Sequence, residues 1–190
     1  MSVLADHQIR HLAFTQNMIT PCANEIYQPG KLSSGLSSYG YDITLGQEFR
    51  TINPSSFSGE YVLDPKNPAP DLLCERYIAP GYPLILPPHG FALGVSVETF
   101  KIPRDLLVLC LGKSTYARSG LNVNITPMEP EWEGQLTIEL FNATPYRLYV
   151  YPGEGIAQII FLKADEICQR SYADKKGKYQ NQFGPTLPRG

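Results

Sequence analysis

Along most of this chain apolar and polar residues alternate over short distances, with a period of two rather than 3.6. The clearest stretch is residues 135–142, where Leu136, Ile138 and Leu140 interleave with Gln135, Thr137, Glu139 and Phe141. In an extended strand that spacing sends the two leucines and the isoleucine to one face, and Thr137 and Glu139 to the other. Similar short β-rich segments occupy residues 83–86, 91–102, 106–111, 121–125, 147–151 and 156–162. Only the start differs. Within residues 4–19, Ile9, Leu12, Ala13 and Met18 recur at roughly helical spacing, and Pro21 stops the run. Turn signals are dense, with 16 glycines and 17 prolines, and the Pro-rich, polar stretch 53–83 reads as long surface loops. Many short strands between turns predict a mostly β barrel or jelly-roll sandwich rather than a βαβ layout.

Length and composition narrow this picture. At 190 residues, without an internal repeat or a linker, the chain is expected to form one domain over residues 1–190. Hydrophobic residues at 43% and charged residues at 18% exclude a disordered tail. A net charge of −2 gives no reason to expect nucleic acid or an anionic membrane as a partner. The last stretch runs the other way: Lys163, Arg170, Lys175, Lys176, Lys178 and Arg189 outnumber Asp165, Glu166 and Asp174. Such a segment suits a small anionic ligand. Cys22, Cys74, Cys110 and Cys168 form no CxxC pair, and Cys110, inside an apolar run, reads as a buried free thiol. No basic region followed by an apolar one opens the chain, and no apolar run reaches membrane-spanning length. A cytoplasmic location is the expectation.

Three features carry candidate chemistry. Glu139 sits two residues from the Thr137 hydroxyl in a strand that is otherwise apolar on one face, where a carboxylate needs a partner or a task. On composition alone a solvent-facing or salt-bridged Glu139 is the commoner reading. Residues 112–118, Gly-Lys-Ser-Thr-Tyr-Ala-Arg, follow an apolar strand and mix two hydroxyls with two cations, a set able to hold a polyphosphate. The GxxxxGK[ST] pattern is absent, and an ordinary polar loop remains the more frequent outcome for such a segment. His7 and His11 stand four apart, which can be metal-ligand spacing, but no third ligand lies nearby and a solvated helix face is favoured.

Taken in order, residues 37–42 (SSYGYD), 112–120 (GKSTYARSG), 126–134 (TPMEPEWEG), 137–139 (TIE), 153–158 (GEGIAQ) and 177–182 (GKYQNQ) resemble the motif series of the dCTP deaminases. These belong to the trimeric dUTPase superfamily, and the resemblance runs over nearly the whole chain. It implies a dUTPase-like distorted jelly-roll or β-barrel of β-clip type, with an N-terminal helix in residues 1–20 and a mobile C-terminal lid in residues 177–190. It implies Glu139 as the proton-transfer residue, with Ser114 and Arg118 orienting the attacking water. Lys113, Thr115, Tyr116 and Ala117 complete the phosphate loop. Thr137 and Ile138 share the base-side strand, and Glu129 lies near sugar and base. Gln158, Tyr172, Lys178 and Gln182 become phosphate and tail contacts. Asp42 matches an acidic position of the first motif, although a structural turn carboxylate reads equally well.

The resemblance also implies chemistry without zinc, since the HxE…PCxxC constellation of zinc deaminases is absent. Magnesium would ride on the nucleotide triphosphate, and Arg118 near Glu139 would keep that carboxylate ionised. dCTP is the implied substrate, a homotrimer with active sites between subunits the implied assembly, and dTTP a feedback inhibitor. The short segment 126–130 resembles the monofunctional branch, giving dUTP and ammonia, rather than a bifunctional enzyme giving dUMP. A plain dUTPase is disfavoured by Glu139, and a catalytically silent relative by the intact Glu139 and Arg118.

Overall fold

Period-two patterning becomes two antiparallel sheets in the computed structural model, which describes residues 1–53, 64–67 and 72–189. Before the first long sheet strands come β1 (Ser2–Val3), the helix α1 (Asp6–Gln16) and β2 (Ile19–Thr20). Then follow β3 (Gly35–Ser37), β4 (Gly40–Thr44), β5 (Glu48–Ile52), β6 (Leu73–Tyr77), β7 (Leu84–Leu86) and β8 (Phe91–Lys101). The second half holds β9 (Leu106–Gly112), a short helix α2 (Ser114–Arg118), β10 (Leu121–Asn124), β11 (Glu133–Asn142), β12 (Leu148–Val150) and β13 (Gly155–Lys163). One sheet runs β1-β13-β4-β3 with β9 also paired to β13. The other runs β10-β11-β8-β5-β6 with β2 also paired to β8, and β7 and β12 form a separate ribbon. The sheets stay open instead of closing into a barrel, so of the expected shapes the jelly-roll-like, β-clip form is the one realised.

Alternation on β11 is carried through: Leu136, Ile138 and Leu140 are buried, while Gln135, Thr137 and Glu139 are only partly covered. Tyr41, Phe49, Phe100 and Phe161, from both sheets, are fully buried in one core that reaches back to Leu4 and Ile9. Burying each such side chain contributes about 1.5–3 kcal/mol relative to leaving it in water. α1 is shorter than the 4–19 expectation. Asn17 takes a left-handed conformation (φ 54°) and stops the helix, so Met18 and Ile19 enter the core from a turn and a strand.

Three further expectations are corrected. Part of the stretch 53–83 lies outside the described residues, but Leu73–Tyr77 is a strand, registered on β5 from Glu48↔Tyr77 to Ile52↔Leu73. Residues 114–118 are helical, not loop. Gly120 (φ +87°) follows that helix, and a Cβ there would lie 2.2 Å from the Thr144 methyl. The stretch from Gly177, expected to be a mobile lid, is bound to β11 by hydrogen bonds. The Gln135 amide donates to the Gln182 carbonyl (3.0 Å), Gln182 Nε2 to the Gln135 carbonyl (2.8 Å), and the Gly184 amide to Gln135 Oε1 (3.1 Å).

Glu98, on the central strand β8, is 2% exposed, accepting from the Thr44 amide (3.1 Å) and the Tyr41 hydroxyl (3.2 Å). Burial pushes its carboxyl above the usual range, and the Thr44 and Tyr41 donors pull the other way. A raised folded-state value means that the native protein holds this proton more tightly than the unfolded chain does. The corresponding stability is complete below the unfolded carboxylate pKa of about 4.3 and is lost as pH rises through the folded value. Denaturant unfolding of the natural protein and of Glu98→Gln should therefore show a gap that moves in the variant's favour from pH 5 to pH 8. A gap of constant size at both pH values would contradict this account.

Candidate active site

β11 delivers Thr137 and Glu139 to a cavity of about 790 Å³ on the six-stranded sheet. Its walls include Phe91 and Leu93 of β8, the 125–129 segment with Thr126 and Glu129, Trp132, Tyr172, Tyr179 and Gln182. That size lies within the range of small-molecule sites, and apolar walls around a few polar groups are their usual make-up. The register is the reason Glu139 lies here. It stands opposite Leu93 on one side and Asn124 on the other, so its neighbours across the sheet are one apolar side chain and one amide. Asn124 Nδ2 donates to Glu139 Oε2 at 3.1 Å. Burial pushes the Glu139 carboxyl above the ordinary range and the Asn124 hydrogen bond offsets part of that rise.

The expectation that Arg118 holds Glu139 ionised is not met within one chain. The causes acting on Glu139 are burial and hydrogen bonds; Arg118 is exposed and, among the described residues, makes no ion pair. None of residues 113–118 lines the Glu139 cavity. Ser114, Thr115, Ala117 and Arg118 project outward from α2, whereas Tyr116 is buried, 4% exposed, and its hydroxyl accepts from the Tyr151 amide at 2.9 Å. The Tyr116 side chain therefore anchors α2 to the body of the protein. Thr115 and Tyr116 border a different cleft of about 480 Å³, between α2 and β12.

Several motif residues meet on the other sheet. Lys113 forms an ion pair with the largely buried Asp42, and its ammonium also donates to Ser33 Oγ at 3.1 Å. Gln158 stands opposite Asp42 in the β13–β4 register and donates to Ser37 Oγ at 3.2 Å. Gly155 is required next to this cluster, because a Cβ there would lie 1.8 Å from the Ser33 carbonyl oxygen. Within one chain the motif residues thus fall into two groups: Asp42, Lys113 and Gln158 with the exposed α2 residues, and Glu129, Thr137, Glu139, Tyr172 and Gln182 around the cavity.

Polar partners already engage most of the second group. Glu129 pairs with Lys175 at 2.7 Å, and Thr137 Oγ1 accepts from the Thr186 amide at 3.1 Å. The Tyr172 hydroxyl accepts from the Tyr179 amide at 3.0 Å, and Lys178 Nζ donates to the Arg189 carbonyl at 2.5 Å. Ile138 is fully buried and faces the core. Phe183 is 79% exposed and does not line the cavity. Asn124 was not picked out by sequence. It owes its place to cross-strand register, which no local pattern carries. Cys110, expected to be buried, is partly covered, and its thiol is pushed up to about 12 by burial and then by the Glu139 charge. His7 and His11 are both exposed on α1. Among the described residues no three His, Cys, Asp or Glu side chains gather as a metal-holding group, and no helix is long and apolar enough to cross a membrane.

A mostly β, jelly-roll-like chain with a cavity of this size and a half-buried carboxylate in its wall defines a β protein built to hold a small molecule on an open sheet. The family model described as dCTP deaminase-like matches residues 3–164, and the chain belongs to that family. It is 49% identical over 189 residues to a dCTP deaminase of Paramagnetospirillum magneticum, covering all of both chains. It is 50% identical over 191 residues to one of Campylobacter hominis, covering all of this chain and 96% of that one. In fold it is similar to the crystal structure of a 2'-deoxycytidine 5'-triphosphate deaminase from Agrobacterium tumefaciens. The TM-score is 0.59 at 17% identity, over 84% of this chain and 47% of that chain.

The Asn124–Glu139 contact has a direct test. Replacing Asn124 by Ala removes a donor that favours the charged carboxylate, so the Glu139 titration, followed by side-chain 13C NMR, should move to higher pH. An unchanged or lower midpoint would show that Asn124 does not act on this group.

Proposed function

We infer that this chain hydrolytically deaminates dCTP to dUTP and ammonia, with Glu139 moving the protons. The observation that carries this reading is Glu139 itself, a carboxylate raised by burial and aimed into the cavity of a dCTP deaminase-like chain. A base with a value shifted toward neutrality can both take and return a proton. Water adds to carbon 4 of the cytosine while Glu139 accepts its proton. Glu139 gives that proton to the ring nitrogen, then carries the proton of the new carbon 4 hydroxyl to the amine; the carbon–nitrogen bond breaks, the carbonyl forms, and ammonia departs. The carbonyl groups beside Thr126 are suited to orient the water. No zinc is needed in this scheme, magnesium travels with the triphosphate, and the protein works in the cytoplasm.

The separation of the two residue groups supports a site shared between subunits of a homotrimer. A neighbour's exposed α2 would bring Ser114 and Arg118 to Glu139, and with them a cation that Glu139 does not find among the described residues of its own chain. Lys113, Thr115 and Gln158 would meet the phosphates. Residues 177–189 would close over the nucleotide, excluding water and strengthening each charged contact inside. dTTP, sharing the sugar and triphosphate, is the proposed feedback ligand of the same site.

Incubation of purified protein with dCTP and magnesium, followed by chromatography, should give dUTP and ammonia; dUMP with pyrophosphate would mean the bifunctional reaction instead. Glu139→Gln should lower turnover on the order of a thousandfold while nucleotide still binds. More than about a tenth of activity remaining would remove Glu139 from its role. Mixed Glu139→Gln and Arg118→Ala subunits should regain part of the activity, and a fully active monomer would refute the shared site. Removing residues 177–190 should raise KM for dCTP and lower kcat with the fold retained; unchanged kinetics would leave the segment without a role.

A further inference from the structure

Arg104 lies in the turn between β8 and β9, outside the cavity and outside every motif discussed above. Its guanidinium is nevertheless shared among four acceptors. Nη1 donates to Glu131 Oε2 at 2.9 Å; Nη2 donates to Asp174 Oδ2 at 2.7 Å, the Gln169 carbonyl at 3.1 Å and the Cys168 carbonyl at 3.3 Å. Those acceptors sit on two separate stretches of chain, which are also joined by the Tyr172 amide to the Pro130 carbonyl and by Lys175 to Glu129.

Each stretch carries part of the cavity wall. Glu131 is the residue before Trp132 and holds a positive φ of 61°, a conformation that a non-glycine residue keeps only under constraint. Its amide donates to the Ile102 carbonyl, its own carbonyl accepts from Gln180, and Trp132 Nε1 donates to the Tyr179 carbonyl. On the second stretch, Asp174 Oδ2 also accepts from the Ser171 amide at 3.0 Å, and the Ser171 hydroxyl accepts from the Asp174 amide at 3.2 Å. This closed turn contains Tyr172, whose amide donates to the Pro130 carbonyl and whose hydroxyl receives the Tyr179 amide. The Ser171 amide, followed by Arg104, holds the Asp174 carboxyl below its usual range, so the pair is charged throughout the working pH range.

We propose that Arg104 is a positioning residue for the substrate cavity, setting the Trp132–Tyr172–Tyr179 wall by tying the Glu131 turn to the Ser171–Asp174 turn. The assignment rests on the reading that this cavity takes the nucleotide. An arginine is required because its planar fork reaches two carboxylates and two carbonyls at once, which the single ammonium of lysine cannot do. Glu139 is placed independently, by the β11 register and Asn124, so the wall can shift without moving the carboxylate. The effect therefore falls on substrate binding. A wall group displaced by a fraction of an ångström weakens contacts made equally to substrate and transition state, which raises KM and spares kcat.

The test is a double-mutant cycle on the full-length protein, with Arg104→Gln, Asp174→Asn and the double variant, read in steady-state kinetics with dCTP and magnesium. Each single variant should raise KM about tenfold with kcat within about twofold, and the double should be no worse than the worse single, as expected for partners in one contact. Arg104→Lys should recover part of the loss. The acid limb of the kcat profile, which reports on Glu139, should stay in place. Thermal melts show whether each variant is folded, and Asp174→Asn, which keeps an acceptor for Ser171, guards against a misfolded Arg104 variant. Unchanged KM in folded variants, a fall in kcat alone, or fully additive effects would each overturn the proposal. Absence of dCTP turnover by the natural protein would instead refute the reading of function.

Discussion

Charging a carboxylate among apolar strands is costly, and the surroundings of Glu139 follow from that cost. The register of β11 gives it Leu93 on one side and the Asn124 amide on the other. A fully solvated position would leave the group an ordinary acid with no reason to take a proton near neutrality. A fully buried one without Asn124 would raise its carboxyl further. One neutral donor at hydrogen-bond distance offsets part of the rise that burial imposes, which suits the proton transfer proposed for Glu139.

The same economy of charge governs the rest of the motif residues. Lys113 and Asp42 neutralise each other in a largely buried pair, Glu129 takes Lys175, and Arg104 holds Glu131 and Asp174. Arg118 is left exposed on a helix whose own base is pinned by Tyr116. A fixed helix that presents a cation to the outside fits the shared site proposed above. A polyphosphate and a neighbouring carboxylate site are the partners that its chemistry fits.

Much of the architecture was legible along the chain wherever one face of a strand is buried. β11 and much of β9 and β13 read correctly because burial of alternate residues writes a period of two into the sequence, and β8 because it is a long apolar run covered on both faces over residues 92–96. β3, β5 and β6 did not, since they are short or exposed, and Glu48, Arg50, Glu75 and Arg76 give them no apolar stripe. The helix Ser114–Arg118 is too short to show a helical period. The C-terminal stretch escaped because backbone and amide hydrogen bonds hold it, and these depend on positions rather than on residue hydrophobicity.

Sequence by itself determined the β-rich class, the burial of Leu136, Ile138 and Leu140, and through the ordered motifs the family. Tertiary structure alone decided that Glu139 leans on Asn124, that Lys113 is already paired, and that Arg118 stands apart from the carboxylate it was expected to serve. The reason is physical. Alternation and motif order are properties of neighbours along the chain, whereas register and ion pairing are settled between residues that meet only when the sheets form.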